Sequence, residues 1–205
     1  MSGLSSKDYK FDTPAYHWAR GEAPQVAERM FGRMAGLPHD YGILCSTVYQ
    51  SGGGVWVDIG VLYGASAIMM ALTMKTFHLP GTVYAVDPLD GYYGKLVEPP
   101  VTKELFEGNV ERLGVGEFIF TVAKKSRPWP LEKKIITGAY IDGDHDGIAP
   151  LMDFNSCVLS GAEYAVFDNY ELKYPDVRRA VMNAANPPWN LVHISGRTAV
   201  LKKDI

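Results

Sequence analysis

Two short apolar runs that each close on an acid constrain this chain more than any other feature. ITGAYID (136–142) and AEYAVFDN (162–169) are rich in β-branched and aromatic residues and end at Asp142 and at Asp168-Asn169. Between them Ile148, Leu151, Met152, Val158 and Leu159 recur at the three- and four-residue spacing of one helix face. Strand, helix and strand within so short a span make a βαβ crossover, so the two strands run parallel and their carboxyl ends share one edge of the sheet. Ligands of open parallel sheets bind just beyond that edge. Asp142, His145, Asp168 and Asn169 are therefore expected together at a site.

A second signal lies upstream. VWVDIGVLYGASAIMMALTMK (55–75) reads as a buried strand, a glycine turn and a long apolar helix. Gly60 can take the positive φ or close backbone approach that a side chain forbids, Gly64 opens the helix where free N–H groups face a ligand, and Ser66 lies in its first turn. The spacing D-x-G-x-x-x-G differs from the G-x-G-x-x-G of dinucleotide sites, which disfavours a nicotinamide-dependent oxidoreductase. A carboxylate at Asp58 would repel a pyrophosphate and suits an amino-bearing ligand.

GTVYAVDPLDGYYG (81–94) is a second strand, ending at Asp87, where an acid accepts hydrogen bonds from ribose hydroxyls in nucleoside-binding sheets. The loop from Pro88 to Pro100, with Asp90, Tyr92 and Tyr93, is long enough for a lid, and a solvated connection is an equal reading. Val101 to Leu113 is amphipathic, with Leu105, Phe106, Val110 and Leu113 inward. A third strand, EFIFTVAKKS, ends near Lys124, Lys125 and Ser126, a position that commonly faces a nucleoside base.

The remaining segments complete an α/β pattern. Residues 1 to about 20 read as a lead-in. A helix follows from Ala23 with Val26, Met30, Met34 and Leu37, ended by Gly36 and Pro38. A second helix, YGILCSTVYQ, stops at Ser51-Gly52-Gly53-Gly54, and the pair could cap one end of the sheet. Pro175 to Ala185 is helical through Val177, Ala180, Val181 and Ala184, and NLVHI, a Ser195-Gly196-Arg197 turn and TAVLKK form a β-hairpin. The expectation is a Rossmann-like three-layer α/β sandwich of five alternating β and α units, with a mostly parallel seven-stranded sheet and a C-terminal antiparallel hairpin. Residues 1–51 supply the lead-in and cap helices, and 52–205 the ligand-binding domain, in a single structural unit.

Composition narrows the partners. The 205 residues, 47% of them hydrophobic, can bury one sizeable core. A net charge of -3 without a long basic run gives no electrostatic footprint for nucleic acid, so a small molecule is the expected partner. No apolar run is long enough to span a bilayer, the N-terminus lacks an apolar signal core, and no membrane partner is expected. Cys45 and Cys157 lack metal or disulfide spacing and read as buried thiols of a reducing, cytoplasmic protein.

Taken together these segments resemble a class I S-adenosylmethionine-dependent methyltransferase. VDIGVLYGAS is similar to that family's first motif and AVDPLDGYYG to its second, and the hairpin matches its reversed last strands. YIDGDHDG followed by VFDNY resembles the metal-dependent O-methyltransferases of the catechol and macrolide-sugar types. The resemblance implies S-adenosylmethionine held by Asp58, Gly60, Gly64, Ser66, Asp87, Ser126 and Asp142, and Mg²⁺ held by Asp142, Asp168 and Asn169. It implies His145 as general base beside Asp142, and a homodimer paired through N-terminal helices. Two carboxylates and an amide oxygen are hard ligands that suit Mg²⁺, and an imidazole can take a proton from an activated hydroxyl near neutral pH.

Each residue alone also admits a structural role. Asp142 and Asp168 could cap the helices that follow them, Asn169 could bond its own backbone, and His145 could be a surface histidine. Alternatives for the whole chain are a metal-independent methyltransferase, a cephalosporin-hydroxylase-like protein of the same fold, and a non-catalytic nucleoside-binding scaffold.

Overall fold

The computed structural model describes residues 10–91 and 98–204. Tyr92 and Tyr93 of the anticipated lid lie outside the described residues. Seven strands, β1 (Gly54–Ile59), β2 (Gly81–Asp87), β3 (Ile119–Ala123), β4 (Gly138–Ile141), β5 (Tyr164–Phe167), β6 (Trp189–Ser195) and β7 (Thr198–Lys203), form one sheet in the order β3-β2-β1-β4-β5-β7-β6. The first five are parallel, and β7 runs antiparallel to both β5 and β6. This is the sheet expected from the sequence. Because β2 and β3 lie on one side of β1 while β4 and β5 lie on the other, a crevice opens at the carboxyl ends of β1 and β4.

Strand alternation assigns the two cores. Trp56, Val83, Ala85, Tyr140, Tyr164 and Val166 face helices α1 (Pro14–Arg29), α2 (Pro38–Gln50), α3 (Ala65–Thr76) and α4 (Lys103–Arg112). Val57, Ile59, Val86, Ala139, Ile141, Ala165 and Phe167 face α5 (Ala149–Leu159) and α6 (Pro175–Ala184). Central strands buried on both faces give the continuous apolar runs by which the sequence announced them. Cys45 and Cys157 are buried and unbridged, and among the described residues no helix is long and apolar enough to cross a membrane.

Three elements differ from the sequence reading. The first helix begins at Pro14, not Ala23, and ends at Arg29, so Met34 and Leu37 lie outside it. Thr13 caps it by accepting from the Tyr16 amide at 3.2 Å, and its buried stripe is Ala15, Ala19, Ala23 and Val26. Small residues make a close seam: a Cβ on Gly42 of α2 would stand 2.8 Å from the Tyr16 ring. Second, the crossover from β3 to β4 contains no helix. Pro128 and Pro130 remove two backbone donors there. Leu131 and Ile136 still fill the α5 side of the core, and Trp129 Nε1 donates to Ser160 Oγ at 2.9 Å.

The third difference concerns α5. Its buried residues are Ala149, Pro150, Asp153, Phe154 and Cys157, one turn apart along one face. Of the apolar residues expected inward, Ile148, Met152 and Leu159 are 69%, 42% and 89% exposed. Spacing alone could not tell which apolar face was covered. Urea denaturation should separate the two faces: Phe154→Ala should cost about 3–5 kcal/mol, whereas Leu159→Ala should change stability by less than about 0.5 kcal/mol. Equal costs would place the wrong face inward.

Candidate active site

The glycine turn and the end of β4 are built against each other. Gly60 has φ +87, and a Cβ there would lie 2.1 Å from the Asp142 carbonyl oxygen, so only glycine lets the turn pass. Gly64, φ +100, caps α3 beneath the ring of Phe106. Ser66 Oγ donates to Asp58 Oδ2 at 2.6 Å, and complete burial pushes the Asp58 carboxyl well above the usual range.

Asp87 is turned onto this same loop. Its Oδ2 accepts from the Val61 and Leu62 amides at 3.0 and 3.4 Å, its Oδ1 accepts from Leu89 at 2.9 Å, and it is 7% exposed. The carboxylate at the end of β2 thus anchors the glycine turn. Asn109 of α4, fully buried, clamps the turn from the other side. Its Nδ2 donates to Tyr63 O and Phe31 O, both at 2.9 Å, and its Oδ1 accepts from Phe31 N at 2.7 Å.

Beyond β4 and β5 the expected polar cluster is present. His145 Nε2 lies 3.1 Å from Asp142 Oδ1, and Asn169 Nδ2 donates to the same Oδ1 at 2.7 Å while standing 3.0 Å from His145 Nε2. Asn169 takes the left-handed conformation, φ 59, which asparagine tolerates and which turns its amide back toward Asp142. The His145 ring packs against Tyr174, with centroids 4.9 Å apart. Burial, and then the neighbouring Asp168, raise Asp142 to about 7. Burial acts to lower His145, but its hydrogen bond to Asp142 and the nearby negative charges outweigh that and raise it.

The hairpin turn adds Arg197 to the cluster. Arg197 forms a two-pronged ion pair with Asp168, Nε to Oδ1 at 2.7 Å and Nη2 to Oδ2 at 2.6 Å. Nη2 also donates to Asn169 Oδ1 at 2.7 Å, and Nη1 donates to Ala35 O at 3.3 Å. An arginine at the tip beside β5 was the available signal, but nothing in its own neighbourhood marked its partner.

A cleft joins the two halves. It is lined by Gly60, Val61, Leu62 and Ser66 of the glycine turn and α3, by Tyr140, Asp142 and Asp168 at the ends of β4 and β5, and by Arg33, Gly36 and Tyr41 from the N-terminal helices and their connection. Among the expected cofactor residues, Gly60, Ser66 and Asp142 meet here. Asp58 bonds Ser66, Asp87 and Gly64 support the turn, and Ser126 hydrogen-bonds Asp153 of α5.

The cluster does not fit Mg²⁺. Both Asp168 oxygens and the Asn169 oxygen already accept from Arg197, and the Asn169 nitrogen faces Asp142 and His145. Among the described residues no group of three His, Cys, Asp or Glu side chains is placed to hold a metal. For Asp87, replacement by alanine should strand three buried amides and cost about 2–4 kcal/mol in urea denaturation. A loss below about 0.5 kcal/mol would show that the turn does not depend on it.

No protein-family model and no curated protein sequence matches this chain. Solved structures do. Cofactor-bound Rv0187 from MTB aligns with a TM-score of 0.66 and 18% identity over 94% of this chain and 90% of that one. The O-methyltransferase TomG from Streptomyces achromogenes, in complex with SAM, gives 0.60 and 12% over 94% and 90%. An O-methyltransferase from Bacillus cereus in complex with SAH gives 0.61 and 15% over 91% of each chain. The protein thus has the class I S-adenosylmethionine-dependent methyltransferase fold, shared with O-methyltransferases of known structure.

Proposed function

We propose that this chain transfers a methyl group from S-adenosylmethionine to a hydroxyl oxygen of a small molecule, with His145 taking the hydroxyl proton. The observation that carries the reading is the place of His145. It stands at the carboxyl end of β4, its Nε2 3.1 Å from an Asp142 that lines the same cleft as Gly60 and Ser66. The TomG and Bacillus cereus structures, solved with SAM and SAH, support the choice of cofactor.

The residues present suit that group. The turn at 60–62, Ser66 and Asp142 would hold its amino acid end, while Asp58, Gly64, Asp87 and Asn109 keep the turn in shape. When bound, the cofactor supplies a methyl group already activated by its sulfonium. What remains for the protein is to align the acceptor and remove its proton, and positioning supplies much of the rate. Arg33 and Gly36 of the α1–α2 connection and Tyr41 of α2 line the cleft and would face the acceptor. With Nε2–H donating to the Asp142 carboxylate, Nδ1 is the nitrogen left to take the proton.

A methyl-tritium transfer assay against phenols, catechols and glycosylated natural products tests the reading. His145→Gln should lower kcat about 10²–10⁴-fold and leave S-adenosylhomocysteine affinity within about threefold, as a group used in proton transfer rather than cofactor binding requires. Unchanged turnover in that variant, or no transfer to any hydroxyl, would sink it.

The pH profile has a definite sign. The base must be neutral, so kcat falls as pH drops through the His145 titration, which its carboxylate neighbour raises. Asp142→Asn removes that neighbour and should move the acid limb down by about one unit. A limb that stays in place would mean that His145 is not the titrating base.

A further inference from the structure

We infer that Arg197 is the resident cation of this site and that the chain works without a divalent metal. Its guanidinium holds the place that the sequence resemblance reserves for Mg²⁺. The inference rests on the cleft being a methyltransferase site only where it concerns the acceptor; the identity of the cation is independent of that.

Asp142 and Asp168 end neighbouring parallel strands, paired up to Ile141 and Phe167, so their carboxylates meet in one cleft. Such a pair needs a counter-charge. Arg197 supplies one that is permanent, because a guanidinium does not lose its proton in a protein. Four of its five N–H donors are used: two on the Asp168 oxygens, one on Asn169 Oδ1 and one, from Nη1, on the Ala35 carbonyl. The backbone beneath it is fixed as well. Tyr170 N donates to Arg197 O at 2.8 Å, and Ser195 pairs with Thr198 across the hairpin.

Mg²⁺ requires near-octahedral oxygens at about 2.0–2.1 Å. Three of the oxygens it would need accept hydrogen bonds from Arg197, so a dication there would have to displace a full positive charge. The amide orientation agrees with this assignment. A donor guanidinium on one side and the Asp142 carboxylate on the other leave Asn169 one consistent orientation, oxygen to Arg197 and nitrogen to Asp142. Arg197 is a positioning residue, acting through Asp168 and Asn169 on Asp142 and His145. Where no metal must be chelated, an acceptor needs one hydroxyl and not a vicinal pair.

The test is titration calorimetry of Mg²⁺ into the full chain, with and without S-adenosylhomocysteine, for the native protein, Arg197→Ala and Arg197→Lys. The native protein should give no binding heat at millimolar Mg²⁺. Arg197→Ala should gain one site, lost again when Asp168→Ala is added, whereas Arg197→Lys, which keeps the charge, should gain none. A purely structural role for Arg197 would not create a metal site on its removal. Native binding that Asp168→Ala abolishes would overturn the proposal, and so would a folded Arg197→Ala that stays silent. Should Arg197→Ala fail to fold, the electron paramagnetic resonance signal of free Mn²⁺ over the native protein decides: an undiminished signal supports the proposal and a quenched one overturns it. Failure to bind S-adenosylhomocysteine would remove the methyltransferase reading and leave the metal result standing.

Discussion

Two carboxylates at the ends of neighbouring strands, Asp142 and Asp168, set the terms for the rest of this structure. Parallel pairing of β4 and β5 forces them together, and in a poorly solvated cleft their repulsion and desolvation must be offset. Arg197 offsets Asp168 through two short hydrogen bonds, and His145 and Asn169 share Asp142. The terminal hairpin therefore does more than extend the sheet. By running antiparallel beside β5 it returns its tip to the edge where the acids sit and delivers the compensating charge.

Buried polar groups also set the shape of the glycine turn. Every buried backbone amide of a turn needs a partner, and the glycine turn after β1 finds two in the Asp87 carboxylate and further support in the Asn109 amide. Asp58 holds Ser66 at the start of α3. Acids at the ends of β1 and β2 thus act as internal anchors, which leaves the cleft wall itself to Gly60, Val61, Leu62 and Ser66.

Much of this was legible in the sequence, for identifiable reasons. Strands that end in acid and a helix between them fixed the neighbourhood of Asp142, His145, Asp168 and Asn169, because parallel topology leaves little freedom in where such ends go. Gly60 was legible because no other residue could pass the Asp142 carbonyl. The hydrogen bonds that Asp58 accepts from Ser66 and Asp87 from three backbone amides were not, since nothing local marks those partners. Arg197 was hidden because its partner lies 29 positions away and depends on hairpin register. The first helix was missed over its N-terminal half because alanines, not large apolar residues, line its seam, and the face of α5 was misjudged because several of its bulkiest side chains point to solvent.

If one cleft serves cofactor, base and fixed cation together, a crystal structure grown with S-adenosylhomocysteine and excess Mg²⁺ tests it most directly. It should show the homocysteine portion against Gly60 and Ser66, with the Arg197 guanidinium still bonded to both Asp168 oxygens. An octahedral ion on Asp142, Asp168 and Asn169 with Arg197 swung away, or a cofactor bound elsewhere, would contradict it.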